Sequence, residues 1–266
     1  MKLLTINTHS LIEEDSDKKA KMLADAISQE LPDIVAMQEV NQTSSEEITD
    51  NSLFTTNDII RSDNYALRVM DLLKDRGKEY FASWMAIKNG YNKFDEGMAI
   101  LSRSKIEDVK ELLISEKNDY NDWKTRKILG IKTRGEWFFS VHMGWWNDKD
   151  PFNAQWERLT SQLPKGKVWL MGDFNNSADA KDEGYDLIKK GGWLDTYILA
   201  QEKDNGYTVE SEIDGWKKSG ITKVRIDYIF CNYKVNVCSS KVIFDGKNRP
   251  RISDHYGVII ETEGLD

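Results

Sequence analysis

The sequence predicts an α/β protein, a four-layer α/β/β/α sandwich in which two packed mixed sheets are flanked by helices. Three observations lead there. Helix-strand units give way to antiparallel strand runs, and the pattern occurs in two similar halves. The chain has 266 residues but no internal repeat and no Pro/Gly/Ser-rich linker, so residues 1–266 count as a single domain. Several short apolar runs stop at a carboxylate, an amide or an imidazole, as buried strands do when their tips line a cleft. An irregular α+β domain is the alternative.

Taken in order, Leu3–Asn7 reads as a first strand. Ser16 is placed to cap a helix running to about Leu31, with Leu23, Ala26, Ile27 and Leu31 on one face and Glu30 at its edge. Ile34–Gln38 is a continuous apolar strand, the pattern of burial on both faces. Residues 40–63 are polar and read as a long functional loop. Asn64 caps a second helix carrying Leu67, Met70 and Leu73, with Gly77 as its stop. Strands follow at Tyr80–Ile87, Gly97–Leu101, Ile106–Leu113, Lys127–Ile131 and Trp137–Val141. Pro151 opens a helix to Leu163, Lys167–Met171 is a strand, and Gly184–Lys190 is a short helix ending at Gly191-Gly192. Val224–Phe230, Val235–Phe244 and Tyr256–Glu261 complete the strands.

Formal net charge is −8, from 45 acidic and 37 basic residues. No basic stripe is evident, so long duplex nucleic acid is a disfavoured partner, although a bound metal neutralises phosphate locally whatever the net charge. Cys231 and Cys238 are the only cysteines, too few for a stapled secreted fold, and read as small apolar fillers. The N-terminal run turns polar too soon for a signal peptide, and no apolar run approaches the ~20 residues of a membrane span. A monomeric, soluble, cytoplasmic protein with no membrane partner is expected.

Asn7, Glu39, Asp173, Asn175, Asp227, Asp254 and His255 all fall at or near expected strand ends. Oxygen ligands from Glu39 and Asp254 suit Mg²⁺ or Mn²⁺, which need few protein ligands and keep water or substrate phosphate in their other positions. No P-loop, cysteine cluster or His-Glu-x-x-His pattern occurs, which argues against ATP-driven, structural-zinc and zinc-protease chemistry. Of the three histidines, His255 follows an acid at a strand start and His142 ends the apolar run Phe138–Val141. Both read as functional; His9 divides between a rim role and a structural one.

Gln38-Glu39, Gly172-Asp173-Phe174-Asn175, Arg225-Ile226-Asp227-Tyr228 and Ser253-Asp254-His255, in this order and spacing, resemble the endonuclease/exonuclease/phosphatase family of metal-dependent phosphoesterases. The likeness runs from Asn7 to His255. It implies the four-layer fold reached above. It also implies that Glu39 is the principal metal ligand, with Asn7 and Asp254 beside it. Asp173 corresponds to the acid that orients or deprotonates the attacking water, and Asn175 to the amide that holds phosphate or nucleophile. His255 corresponds to the imidazole near the scissile phosphate, Asp227 to its carboxylate partner, and His142 to the other active-site histidine. Glu96, in Asp95-Glu96-Gly97, sits where some members place an acid against that histidine, and Arg126 is placed to bind a phosphate oxygen. A structural salt bridge accounts for Glu96 or Arg126 nearly as well.

Specificity then rests on the loops, which are rich in tryptophan: Trp123, Trp145, Trp146 and Trp216. Aromatic faces stack on bases and on sugar rings alike. Trp145 and Trp146 are the expected rim platform, but neighbours on a strand point to opposite sides, which leaves the core open to one of them. A narrower likeness to maltose 6'-phosphate phosphatases lies in Asn7-Thr8-His9-Ser10, Trp123-Lys124-Thr125-Arg126, His142-Met143-Gly144-Trp145-Trp146 and Ile213-Asp214-Gly215-Trp216. It implies a phosphorylated sugar as substrate, with Arg126, Trp145, Trp146 and Trp216 as its contacts. A metal-dependent nuclease is the alternative, and a sphingomyelinase-like phosphodiesterase the next.

Overall fold

A computed structural model describes residues 1–49, 52–210 and 223–263. The first half contains β1 (Lys2–Asn7), α1 (Ser16–Glu30), β2 (Ile34–Thr43), α2 (Tyr65–Asp75), β3 (Phe81–Gly90) and β4 (Phe94–Ser102). Next come β5 (Asp108–Leu113), β6 (Lys127–Thr133), β7 (Glu136–His142), α3 (Phe152–Gln162), β8 (Val168–Asp173) and α4 (Gly184–Lys190). The chain closes with β9 (Leu194–Asp195), α5 (Thr196–Leu199), β10 (Glu202–Lys203), β11 (Asp227–Cys231), β12 (Val237–Ile243) and β13 (Gly257–Thr262). One sheet has the order β10-β12-β13-β1-β2-β4-β3 and the other β5-β6-β7-β8-β11-β9. Both are mixed: β1 runs parallel to β2 and β7 to β8, while their outer neighbours are antiparallel. This is the expected pair of sheets flanked by helices.

Side-chain alternation explains the layers. Leu3, Ile34 and Ala36 face inward and join Phe139, Val141, Leu170 and Met171 of the other sheet in one core. Their neighbours Leu4, Val35 and Met37 face outward, under α1 and α2. Both faces of β1 and β2 are thus buried, which is why those strands read as unbroken apolar runs. On the far side, Phe152, Trp156 and Leu159 of α3 cover the second sheet.

One capping expectation holds and two others are corrected. Asn64 does cap α2, its Oδ1 accepting from Ala66 N at 3.0 Å and Leu67 N at 3.2 Å. Ser16, however, is already helical, and Asp15 takes the cap position of α1 at φ 56° with no side-chain cap bond. The polar stretch after Gln38 is not yet loop, because β2 continues to Thr43. There Gln42 is buried and its side chain bonds Ile59 O and Asp95 while accepting from Asn64 and Arg61. The short elements β9, α5 and β10 have two to four residues each, below the length at which periodicity reports.

Two β-bulges flank Gly97 of β4, one in β2 between Met37 and Val40, the other in β3 between Ala86 and Lys88. A Cβ on Gly97 would stand 2.2 Å from Met85 O and 2.9 Å from Trp84 Cε2. Gly97→Ala should therefore lower stability by about 1–3 kcal/mol through overpacking. Urea unfolding that shows a change under about 0.5 kcal/mol would mean the strands part without penalty.

Candidate active site

Three tips of the second sheet lie in one register row. Asp173 at the end of β8 is the direct partner of His142 on β7 and of Asp227 on β11. The row closes up because Gly172, at φ 152°, lets the chain pass where a Cβ would stand 1.9 Å from Val141 O. From the first sheet, β1 ends at Asn7 and the β2 bulge presents Glu39 at φ 51°. A bulge re-aims a side chain that regular pleating would turn away, and a non-glycine residue with positive φ is a site of local strain. Asn7 joins the sheets, its Nδ2 donating to Glu39 Oε1 at 2.9 Å and to Asp173 Oδ2 at 3.3 Å.

The histidines take two different places. His142 Nε2 lies 3.6 Å from Asp173 Oδ2 and 4.0 Å from Glu39 Oε1. His255 holds Asp227 with Nδ1, at 3.0 Å from Oδ2, and turns Nε2 toward Asp173 Oδ2 at 3.8 Å. Asn175 sits at φ 50°; its backbone N donates to Asp173 Oδ1 at 2.8 Å and its Nδ2 to Met143 O at 3.0 Å. Asp254 lies on the other flank, where His9, Glu13 and Asp254 bring ligand-capable atoms within 4.8 Å of one another. His9 Nδ1 pairs with Glu13 Oε1 at 2.8 Å.

Burial and crowding set the charges. Burial pushes the Asp173 carboxyl up to about 7, with Asp227 and Glu39 adding to the rise against His255. Burial, with Glu96 next, raises Glu39. Burial also drives His142 well below the ordinary imidazole range, helped by Arg126 and Lys88. For His255 burial acts downward, but Asp227 and Asp173 overcome it and hold the ring well above that range. One imidazole is therefore neutral and its neighbour cationic.

The rim is organised by a residue that sequence reasoning missed. Lys88, buried on β3, pairs with Glu96 Oε1 at 3.1 Å and donates to Trp123 O at 2.9 Å. Arg126 Nη1 donates to the same carbonyl at 3.1 Å. Glu96 thus stands against Lys88, while the acids within ion-pair range of His142 are Asp173 and Glu39. The signal for Lys88 was available: a lone base directly after the apolar run that ends at Ile87. Trp145 packs against Trp123 with ring centroids 6.1 Å apart, and Trp123 is 55% exposed. Trp146 turns instead to Phe152 and the core. Trp216 lies outside the described residues.

A hard divalent cation fits the donor set of Asn7, Glu39 and Asp254. All three offer oxygen, and the mutual repulsion that helps raise Glu39 includes Asp254 and is what a cation relieves. The buried group Asp173, Asp227 and His255 also brings three ligand-capable atoms together, but its imidazole already satisfies Asp227.

Comparison with known proteins gives a consistent picture. The model of the Endonuclease/Exonuclease/phosphatase family matches residues 4–255. An endonuclease/exonuclease/phosphatase family protein from Leptotrichia buccalis is 33% identical with TM-score 0.89, over 99% of this chain and 100% of that one. A mannosyl-6-phosphatase from Bacteroides thetaiotaomicron shares the fold at 19% identity and TM-score 0.66, over 99% and 100% of the two chains. A 3' phosphatase from Neisseria, bound to product DNA hairpin, does so at 19% identity and TM-score 0.68, over 99% and 100%. No curated protein matches the sequence significantly.

In the metal-free protein at pH 7.5, nitrogen-15 NMR should find His255 doubly protonated and His142 neutral. Asp227→Asn should lower the His255 pKa by at least about one unit. The raised value also has a stability consequence. The His255–Asp227 contribution is fully present below the ordinary imidazole value of 6.5 and is lost as pH rises through the higher native one. The destabilisation by Asp227→Asn should accordingly be largest near pH 6 and shrink in alkali. An imidazole titration unchanged by the substitution would remove Asp227 as the cause.

Proposed function

The chain belongs to the endonuclease/exonuclease/phosphatase family, and from that premise we propose that it is a divalent-metal-dependent phosphatase. Its substrate on this reading is a phosphorylated sugar such as maltose 6'-phosphate, released as sugar and inorganic phosphate. The observation that carries the reading is the aromatic shelf of Trp123 and Trp145, tied through the Trp123 carbonyl to two buried cations beside the acids and histidines. Such a shelf suits a ring stacked at the mouth of a confined site. A 6-phosphatase among the proteins that share the fold supports it.

Glu39, Asn7 and Asp254 are assigned to hold Mg²⁺ or Mn²⁺. Bound there, the ion supplies Lewis acidity toward a phosphoryl oxygen and lowers the pKa of a coordinated water. Asp173, whose carboxyl titrates near 7, is the group to take the water proton at neutral pH. Asn175, pinned between Asp173 and Met143, presents its amide to the phosphate or the nucleophile. His255, held charged by Asp227, stabilises oxyanion charge or protonates the leaving oxygen. His142, neutral and within reach of Asp173 and Glu39, completes the polar floor. Arg126 and Trp145 belong to the substrate side, as does Trp123.

Phosphate release from a panel of sugar phosphates, with and without EDTA, tests this directly. Release from 6-phosphorylated sugars, abolished by EDTA, is the expected result. Cleavage of plasmid or oligonucleotide alone would overturn the sugar-phosphate assignment. Glu39→Ala should lose nearly all turnover together with its metal dependence. His255→Ala should fold yet lower kcat by about 10²–10⁴-fold, and a near-native rate would refute its role.

A further inference from the structure

The acids and histidines leave one buried polar row unused. Asn41 of β2, Glu96 of β4 and Lys88 of β3 are direct cross-strand partners, so their side chains stand on the same face of the sheet. All three are buried, as is Arg126, which meets Lys88 at the Trp123 carbonyl. Several groups here have no protein partner. Both side-chain atoms of Asn41 are unbonded, and so are Arg126 Nε and the indole Nε1 of Trp145. Buried polar groups are nearly always hydrogen-bonded, and each that is not costs about 1–3 kcal/mol. Asn41 and Arg126, both unsatisfied on the flanks of Lys88, mark a place built for a polar ligand.

The chemistry of the wall selects the charge of that ligand. Asn41 Nδ2, Lys88 Nζ and Arg126 Nε are all N–H donors, and Lys88 and Arg126 bring two cations to one carbonyl. Glu96 engages Lys88 at 3.1 Å and fixes where the ammonium points. The bulge between Ala86 and Lys88 sets Lys88 directly opposite Glu96 in the register. Asn41 follows Glu39 by two residues on β2, and Glu39 Oε1 lies 4.0 Å from His142 Nε2, so the wall borders the acids and histidines of the site.

We propose that Asn41, Lys88 and Arg126 form an oxyanion-receiving wall that binds the additional charged oxygen of a phosphomonoester dianion, an oxygen that a phosphodiester has esterified. The inference rests on the phosphoesterase reading above and narrows it to terminal phosphates. Glu96 is a positioning residue in this arrangement, acting through Lys88.

The test uses the full chain with Mg²⁺ added and takes inorganic phosphate as the binding probe. Lys88→Gln should weaken phosphate binding in calorimetry by at least about tenfold. The same variant should reduce kcat/KM for p-nitrophenyl phosphate by about 100-fold, and for bis(p-nitrophenyl) phosphate far less. Arg126→Lys keeps the charge and loses the Nε–H; it should show the same bias and serves if Lys88→Gln does not fold. Unchanged phosphate affinity in a folded variant, or equal losses on the two esters, would overturn the wall. The calorimetric arm separates the two readings. Affinity that falls in the variants of a protein inactive on every monoester supports the wall and sinks the phosphatase assignment. Phosphate release with affinity indifferent to Lys88 does the reverse.

Discussion

Beneath the strand tips, a small group of buried hydrogen bonds between the sheets sets the geometry of everything above it. Gln38 Nε2 donates to Ser140 Oγ at 2.9 Å, and Ser140 Oγ donates to Met37 O at 3.0 Å. Thr5 Oγ1 closes the group against the Gln38 amide, and all three side chains are fully buried. The rest of the inter-sheet core is apolar and non-directional, so it resists separation of the sheets better than it resists sliding. A polar contact inside it is different, because a small slip strands its donors and acceptors at about 1–3 kcal/mol each. Gln38 immediately precedes Glu39, and Ser140 lies two residues before His142. Fixing one pair of side chains therefore fixes how the metal-ligand side of the site meets the histidine side.

Once the tips are brought together, the problem becomes one of charge. Asp173 and Asp227 are fully buried, and the half-buried Glu39 reaches them through Asn7 and His142. The fold answers with unequal neighbours. His255 is flanked by two carboxylates that overcome its burial, and it stays cationic; His142 is driven down by burial first and then by Arg126 and Lys88, and it stays neutral. Asp173 is left with a carboxyl that titrates near neutrality. Two residues of the same type thereby acquire opposite protonation states a few ångströms apart, which acid-base chemistry at one phosphate requires.

The strand tips were legible in the sequence because their signal is local: an apolar run that halts at Asp173 or His142 announces both burial and an end. The order of Gln38-Glu39, Gly172-Asp173 and Ser253-Asp254-His255 carried the fold as well, since both faces of the central strands are buried and their patterning is unbroken. Bulges were not legible. One extra residue in β2 and one in β3 leave composition and period almost untouched, yet they decide that Glu39 faces the site and that Lys88 stands opposite Glu96. Trp145 and Trp146 were indistinguishable as neighbours, and only packing against Trp123 or Phe152 separates them. Arg225 shows the opposite limit. It belongs to the motif that supplies Asp227, but its guanidinium is buried against Asp195 at 2.7 Å and among the rings of Tyr185, Tyr197 and Tyr228. It anchors the start of β11 rather than meeting a ligand.

Where positive charge resides bears on the size of the substrate. A protein that tracks a polynucleotide gains affinity by releasing counterions along many phosphates, which takes cations spread over an accessible surface. Among the described residues, two cations near this rim are committed to acids: Arg61 to Asp95, and Lys124 to Asp148. The cations that serve the site, Lys88 and Arg126, are buried and meet at one carbonyl. Against a net charge of −8, that arrangement concentrates attraction at a single point instead of along a groove. On the phosphatase reading proposed above, a point of charge bordered by tryptophan suits one terminal phosphate on one ring.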